Sequence, residues 1–298
     1  MKIERLKDCK WGEKVEIPLM INKVLVGRGL LTSIYAGDKD MEIKCFIKTD
    51  GVKLEVGKVI LAKGNFSEPF KPSSFQFVEE YDINEFLPSV QRPIEDIMKE
   101  IELLSMEEIV SSEAKQLDNY FFSNEHFVEK FKCGIGGVFN HHNYRGGLAE
   151  HTLGVMTLSK YLAYKYDIRY KEIAILGAKI HDIGKVYEMV YDAPFSYTLK
   201  GSLQGHIVMG IVMVEKAFAE NPDAYSEEFK ERIKAIIVEH HGKVEYGSPV
   251  APKTQEAHVV HYADYVDANM NKLAIVSEGV EPGTWSGFDK RVDGKLFL

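Results

Sequence analysis

The chain has 298 residues, 45% hydrophobic and 28% charged, which is the balance of a water-soluble protein with room for two domains. No apolar run approaches the roughly 18 residues a membrane span needs, so no membrane partner is expected. The opening MKIERLKDCKWGEK lacks the apolar centre of a secretion signal, which makes the cytoplasm the expected location. Cys9, Cys45 and Cys133 are far apart and form no CxxC pair, so free thiols are expected rather than disulfides or a thiolate zinc site. The first 90 residues hold 14 basic and 14 acidic side chains, so the net charge of −8 lies wholly beyond them. That argues against a broad basic surface for nucleic acid. It does not exclude a narrow phosphate-binding cleft, because bound cations neutralise a carboxylate-rich site.

Residues from about 12 to 86 read as short strands. VEIPLMINKVLV, MEIKCFIKT, KVILAKGNFSE and SSFQFVEEYDI are rich in β-branched and aromatic residues. Gly27, Gly29, Gly37-Asp38, Asp50-Gly51, Gly57 and Gly64 punctuate them. This spacing predicts a small five-stranded barrel of OB-fold type over residues 1–88. After Leu87-Pro88 the period changes. Pro93 suits a helix start, with Glu95 and Asp96 in the first turn. Ile94, Ile97, Met98, Ile101 and Leu104 then recur at helical spacing. The fold class is therefore multidomain α and β, with an all-α domain over 89–298 whose first part, 89–135, is a helical lead-in. The tail GVEPGTWSGFDKRVDGKLFL reads as irregular or weakly strand-like.

Chemistry concentrates in this helical part. Nine of the ten histidines lie between His141 and His261. AEHTLGVMTLSKYL puts His151 on the buried stripe of Val155, Leu158 and Leu162. KEIAILGAKIHDIGK brings His181 and Asp182 to the end of an apolar helix, with Gly184 expected to break it. Adjacent residues point about 100° apart within a helix, but at its end both can turn towards one ion. QGHIVMG puts His206 at a helix start after Gly205, and IIVEHHG puts His240 and His241 at a helix end before Gly242. HYADYVDANM carries Asp264, costly to bury unless paired or metal-bound, and Asp267 one turn on, either a support or simply exposed. Each residue alone has an ordinary explanation as a core or surface side chain. One metal site accounts for His151, His181, Asp182, His206, His240, His241 and Asp264 together. Imidazole and carboxylate suit manganese, iron and zinc, and seven such groups suffice for two ions with open positions. A metal-assisted hydrolase is the reading, with Asp182 and Lys185 catalytic: Lys185, three residues on, is placed to reach a substrate phosphate.

The order His … His-Asp … Asp, with HDIGK intact, resembles the HD-domain superfamily of metal-dependent phosphohydrolases. The match falls on His151, His181, Asp182 and Asp264, and His206, His240 and His241 resemble its two-metal form. In that form Asp182 would bridge both ions. A three-metal subset needs an acid one turn before the first histidine, where this chain has Gly147. The run HH-x-x-x-GGL-x-x-H (His141, His142, Gly146, Gly147, Leu148, His151), the preceding barrel and the later ADYVDA are similar to YhaM-type 3′→5′ exoribonucleases over nearly the whole chain. That resemblance implies trimming of single-stranded RNA, with ssDNA as a second substrate. It also implies divalent ions, manganese foremost, with iron, magnesium, cobalt, nickel or zinc as alternatives. His142 and Arg145 are candidates for the scissile phosphate or terminal sugar, or equally loop residues that pack on the domain. Phe66, Phe70 and Lys71, with Phe75 and Phe77, are candidates for gripping the strand, unless Phe75 and Phe77, which alternate, are barrel core. Competing expectations are an HD phosphohydrolase of small nucleotides or cyclic dinucleotides, and a non-catalytic nucleic-acid-binding regulator. Assembly into a homo-oligomer is left open.

Overall fold

The structure, a computed structural model, describes residues 5–25 and 31–298. Gly27 and Gly29 therefore lie outside the described residues. The chain divides into two compact units. The first holds the described residues up to Ser89 together with Val190–Phe195, and the second holds the remainder.

The first unit is an antiparallel sheet of β1 (Lys14–Val24), β2 (Leu31–Gly37), β3 (Glu42–Lys48), β4 (Val59–Asn65) and β5 (Ser74–Val78), in the order β3-β2-β1-β4-β5. β2, in the segment LTSIYAG, is a strand that the sequence reading did not single out. Alternation is clearest in β3, where Ile43, Cys45 and Ile47 are buried and Lys44 and Phe46 face away. A bulge between Ile21 and Lys23 shifts the register of β1 against β2. The expected closed barrel is seen as an open sheet among the described residues. Edge strand β3 meets the segment between β4 and β5 through one bridge, Cys45 to Phe70, where Phe46 N–H donates to the Phe70 carbonyl and Phe70 N–H donates to the Lys44 carbonyl. Pro69 and Pro72 flank Phe70 and carry no N–H, so that ladder cannot extend. Phe195 packs on Met20, Val59, Phe86 and Leu87, which is how Val190–Phe195 belongs to this unit.

The second unit is helical: α1 (Ile94–Glu108), α2 (Ser112–Phe122), α3 (Glu125–Cys133), α4 (Gly147–Lys165), α5 (Lys171–Ile180) and α6 (Lys185–Glu188). A minimal hairpin of β6 (Met189–Val190) and β7 (Ser196–Tyr197) follows, then α7 (Leu199–Glu220), α8 (Glu227–Glu239) and α9 (Gln255–Ser277). Side chains of Ser111, Asn124, Thr198, Ser226 and Thr254 accept a backbone N–H at their helix starts. The core joins the inward faces of α1 to α5 and α7 to α9, including Ile97, Ile101, Leu148, Val155, Ile175, Leu176, Ile233 and Ile237. Each such side chain contributes about 1.5–3 kcal/mol by leaving water. No helix of the described residues is long and apolar enough to cross a membrane. The tail is irregular, held by the isolated bridges Trp285–Phe297 and Asp289–Gly294.

Gly184 does not act as a helix breaker. Its backbone is helical, at φ −59° and ψ −28°. It is there because α7 passes close: a Cβ would lie 2.0 Å from the His206 carbonyl oxygen and 2.9 Å from the Gly210 nitrogen. Gly184→Ala should therefore force α6 and α7 apart and cost about 1–3 kcal/mol, read as a lowered urea midpoint. Wild-type stability in that variant would show that the close approach is not required.

Candidate metal centre

Four histidines from four elements meet around Asp182, and each is held by its Nδ1. α5 ends at His181, whose Nδ1–H donates to the Ala178 carbonyl at 2.7 Å. α8 ends in the same way, with His240 Nδ1–H donating to Ile237 at 2.8 Å. Both bonds satisfy a last-turn carbonyl that the helix itself leaves open. α7 is broken at Gly205, whose φ of 74° is left-handed, so His206 begins a fresh helical segment as the sequence suggested. Glu188 Oε1 takes the freed His206 N–H at 2.9 Å and lies 3.2 Å from His206 Nδ1. His151, in the second turn of α4, sets its Nδ1 2.7 Å from Asp267 Oδ2.

With Nδ1 occupied, Nε2 is the free end of each ring. His181 Nε2 and His151 Nε2 lie 3.3 and 3.5 Å from Asp182 Oδ2. His206 Nε2 and His240 Nε2 lie 3.6 and 3.5 Å from Asp182 Oδ1. All four nitrogens and Oδ1 are buried without a hydrogen-bond partner. Buried polar atoms are normally satisfied, and such a convergent set fits a bound cation. Asp264 Oδ1 stands 3.2 Å from His151 Nε2. His241 packs its ring 4.2 Å from that of His240 and 5.1 Å from that of His206. Three sets of ligand atoms cluster among the described residues: His151, His181 and Asp182; His206, His240 and His241; and His141, His142 and His151. The donor set of imidazole and carboxylate fits borderline to hard divalent cations.

The electrostatics agree. Burial alone would raise the Asp182 carboxyl, but Lys185 and His181 beside it hold it well below the usual carboxylate range. Burial works against a charged His151, yet hydrogen bonds to Asp264 and Asp267 prevail and raise it to about 9. Burial, with His241 alongside, pushes His240 well below its ordinary value. His241 falls to about 4 through burial and the nearby His206. The His240 and His241 rings are thereby placed as neutral ligands, the form a metal binds, while His151 holds a proton between Asp264 and Asp267 that a metal would displace.

The expected substrate contacts fare differently. Lys185 is buried and already engaged: its ammonium lies 2.6 Å from Asp182 Oδ2 and donates to the Gly136 carbonyl at 2.8 Å. His142 is buried, donates its backbone N–H to Asn271 Oδ1, and turns Nε2 to 3.6 Å from Asp267 Oδ2, so it braces the centre. Arg145 donates to the Cys133 sulfur at 3.3 Å and its carbonyl accepts from Val90. In the sheet unit Phe70 is fully buried core, so it offers no stacking face, and Phe66 and Phe75 pack beside it. Phe77 is about one third exposed, and Lys71 is exposed with its ammonium 5.9 Å from the Phe46 ring.

Several partners escaped sequence reading. His141 sits with its ring 5.4 Å from that of His151 and both nitrogens unpartnered; its only signal is the His-His doublet. Glu188, Asn271 and His261, which donates from Nδ1 to the His240 carbonyl at 2.9 Å, carry no motif that would reveal them. Asp267, which the sequence left as either a support or simply exposed, is the strongest support. Asp267→Asn should keep the fold but weaken metal binding about 10–100-fold, because His151 would lose the partner that orients it. A chelator-competition titration checks this, and unchanged affinity would remove Asp267 from the centre.

Comparison with known proteins gives this geometry its context. The HD domain family matches residues 148–269, a span that contains all seven expected ligands and Asp267 but not His141, His142 or Arg145. The 3'-5' exoribonuclease YhaM of Geobacillus sp. (strain WCH70) is 30% identical over 297 residues, covering 92% of this chain and 88% of that protein. The 3'-5' exoribonuclease YhaM of Bacillus subtilis (strain 168) is 33% identical over 208 residues, covering 70% of this chain and 65% of its own length. No solved structure matches the chain significantly. With its histidine-aspartate centre inside the matched span and a relative aligned over almost its full length, the chain belongs to the YhaM family of HD-domain proteins.

Proposed function

We propose that this protein is a metal-dependent 3′→5′ exoribonuclease that hydrolyses single-stranded RNA. The family supports a metal-dependent nuclease or phosphohydrolase at the coarser level. The observation that carries the finer reading is one buried carboxylate, Asp182, with a pair of imidazole nitrogens on each of its two oxygens. Asp182 would bridge two divalent ions, manganese foremost. His151, His181 and Asp264 would complete one position, and His206, His240 and His241 the other. Bound there, the ions would supply a water of near-neutral pKa and positive charge for the phosphoryl oxygens.

The chain's own residues do the rest. Asp267, Glu188 and the carbonyls of Ala178 and Ile237 fix the ring tautomers, so no reorganisation is needed when the phosphodiester arrives. Lys185 offsets the buried charge of Asp182 and would add positive charge beside a phosphate held there. His141 is the better candidate than His142 for touching the scissile group, because its ring nitrogens have no other partner.

For substrate grip we turn from the buried Phe70 to the outward face of β2 and β3. Tyr35 stands opposite Lys44, and Ser33 opposite Phe46. The Lys44 and Lys71 ammoniums lie 5.4 and 5.9 Å from the Phe46 ring. Rings interleaved with cations suit a single strand, where stacking contributes about 1–3 kcal/mol per base. This face favours a polymer over a small nucleotide or cyclic dinucleotide.

The test is a 5′-labelled single-stranded RNA incubated with metal-stripped protein, with and without manganese, and resolved on a gel. A manganese-dependent ladder shortening from the 3′ end is expected, absent in Asp182→Ala. Intact RNA with a metal-loaded protein would overturn the reading in favour of small phosphoesters. The double variant Tyr35→Ala, Phe46→Ala should raise KM for RNA about tenfold or more with kcat nearly unchanged, from the loss of stacking. An unaltered KM would exclude this face from substrate binding.

A further inference from the structure

The helical lead-in has no part in the chemistry described so far, yet it encloses a cavity of about 910 Å³. Its walls come from α1, α2, α3 and the last turn of α5, and no residue of the metal centre lines it. Four lysines and three carboxylates face it, a cationic excess in a protein whose net charge is −8.

Lys179 forms the floor. It is 3% exposed, 2.5 Å from Asp118 Oδ1, and its ammonium lies 3.9 Å from the centre of the Phe122 ring. A buried ion pair contributes little net stability, because desolvation offsets most of its attraction. Structural need alone therefore gives a weak account of this lysine. Lys132 is held by Glu95 and Glu129 at 3.0 Å each. Lys99 and Lys115 stand exposed at the rim and make no ion pair among the described residues. Between the cations Met98, Val128 and Phe122 supply an apolar wall, Glu102 and Ser105 also face the cavity, and Asn119 offers an amide.

We propose that this cavity binds a nucleoside 5′-monophosphate. The phosphate would rest on Lys179, Lys115 and Lys99, and the base on the apolar wall with Asn119 at its edge. The volume greatly exceeds what inorganic phosphate fills, and lies in the range of small-molecule sites. The choice of ligand rests on the exoribonuclease reading, in which nucleoside monophosphates are the product. The site is joined to the centre by covalent structure. α5 carries Lys179 into the cavity and, two residues later, His181 and then Asp182 into the metal cluster. Product held here would restrain the helix end that presents both ligands.

Calorimetric titration of chelator-treated protein separates this site from the metal centre. UMP, AMP, uridine and inorganic phosphate are the probes, with Asp182→Asn as a second background. Saturable binding of a monophosphate is expected, stronger than that of uridine or phosphate and unchanged in Asp182→Asn. Lys179→Met should weaken it at least tenfold. The surface pair Lys99→Glu, Lys115→Glu should do the same, and it tests the site even if Lys179→Met fails to fold. No monophosphate binding, equal binding of phosphate alone, or full binding by the rim variant would overturn the proposal. The readout needs neither metal nor turnover. Binding by a protein that leaves RNA intact would support an anion site here while overturning the nuclease reading.

Discussion

The centre depends on one repeated constraint: each imidazole around Asp182 is fixed by its Nδ1, so that its Nε2 has a single direction to face. Two of the four anchors are main-chain carbonyls at the ends of α5 and α8. The other two are carboxylates, Asp267 for His151 and Glu188 for His206. The difference follows from position. A histidine that ends a helix finds an unsatisfied carbonyl three residues back. His151 lies inside α4, where the carbonyls are already used, and therefore needs a partner from another helix. His206 follows the break at Gly205, where an unpaired N–H as well as Nδ1 must be satisfied, and one Glu188 oxygen serves both.

The packing that surrounds this constraint is tight where backbone must approach backbone. Gly184 admits α7, and Gly242, at φ 80°, leaves room for the ring of His261, whose Nδ1 braces the His240 carbonyl. Gly154 admits the Asp267 carboxylate: a Cβ there would lie 2.0 Å from Oδ1. The glycines near the site thus serve the anchors of the histidines as much as the turns of the chain. Charge is balanced in the same way. Burial works against the ammonium of Lys185, but Asp182 beside it more than compensates and raises its pKa.

Much of the centre is legible in the sequence because ligand atoms have so little freedom. A histidine at a helix end before a glycine, or on a buried stripe, reveals both its element and its direction. The anchors are not legible, because a glutamate such as Glu188 looks the same whether it holds an imidazole or faces water. The helix starts at Pro93 and at the Gly205 break were readable from local chemistry. Gly184 was misread as a breaker, since a close approach between helices leaves no local signature. Strand β2 and the burial of Phe70 depend on pairing across the sheet: Phe70 is core only because its segment bridges to Cys45. Val190–Phe195 joins the sheet unit through Phe195, at the end of a short loop that no periodicity marks.

The segment before α4 explains why this chain differs from a pattern with an acid at position 147. His142, at φ 47°, folds its carbonyl back over the helix start, and a Cβ on Gly147 would lie 2.2 Å from that oxygen. Gly146, at φ 80°, would direct a Cβ to 2.7 Å from Val90. No side chain fits at 147 while the loop keeps this path, so an acidic ligand there is excluded by sterics and not merely missing. The path itself is held from the far side of the centre. Lys185 donates to the Gly136 carbonyl, and Asn271 on α9 accepts the His142 N–H. The loop that bars a carboxylate at 147 brings His141 and His142 beside His151 in its place, within ligand distance of one another. The lost acid and the histidine pair are therefore two results of one backbone turn, and the same lysine that neutralises Asp182 keeps that turn in position.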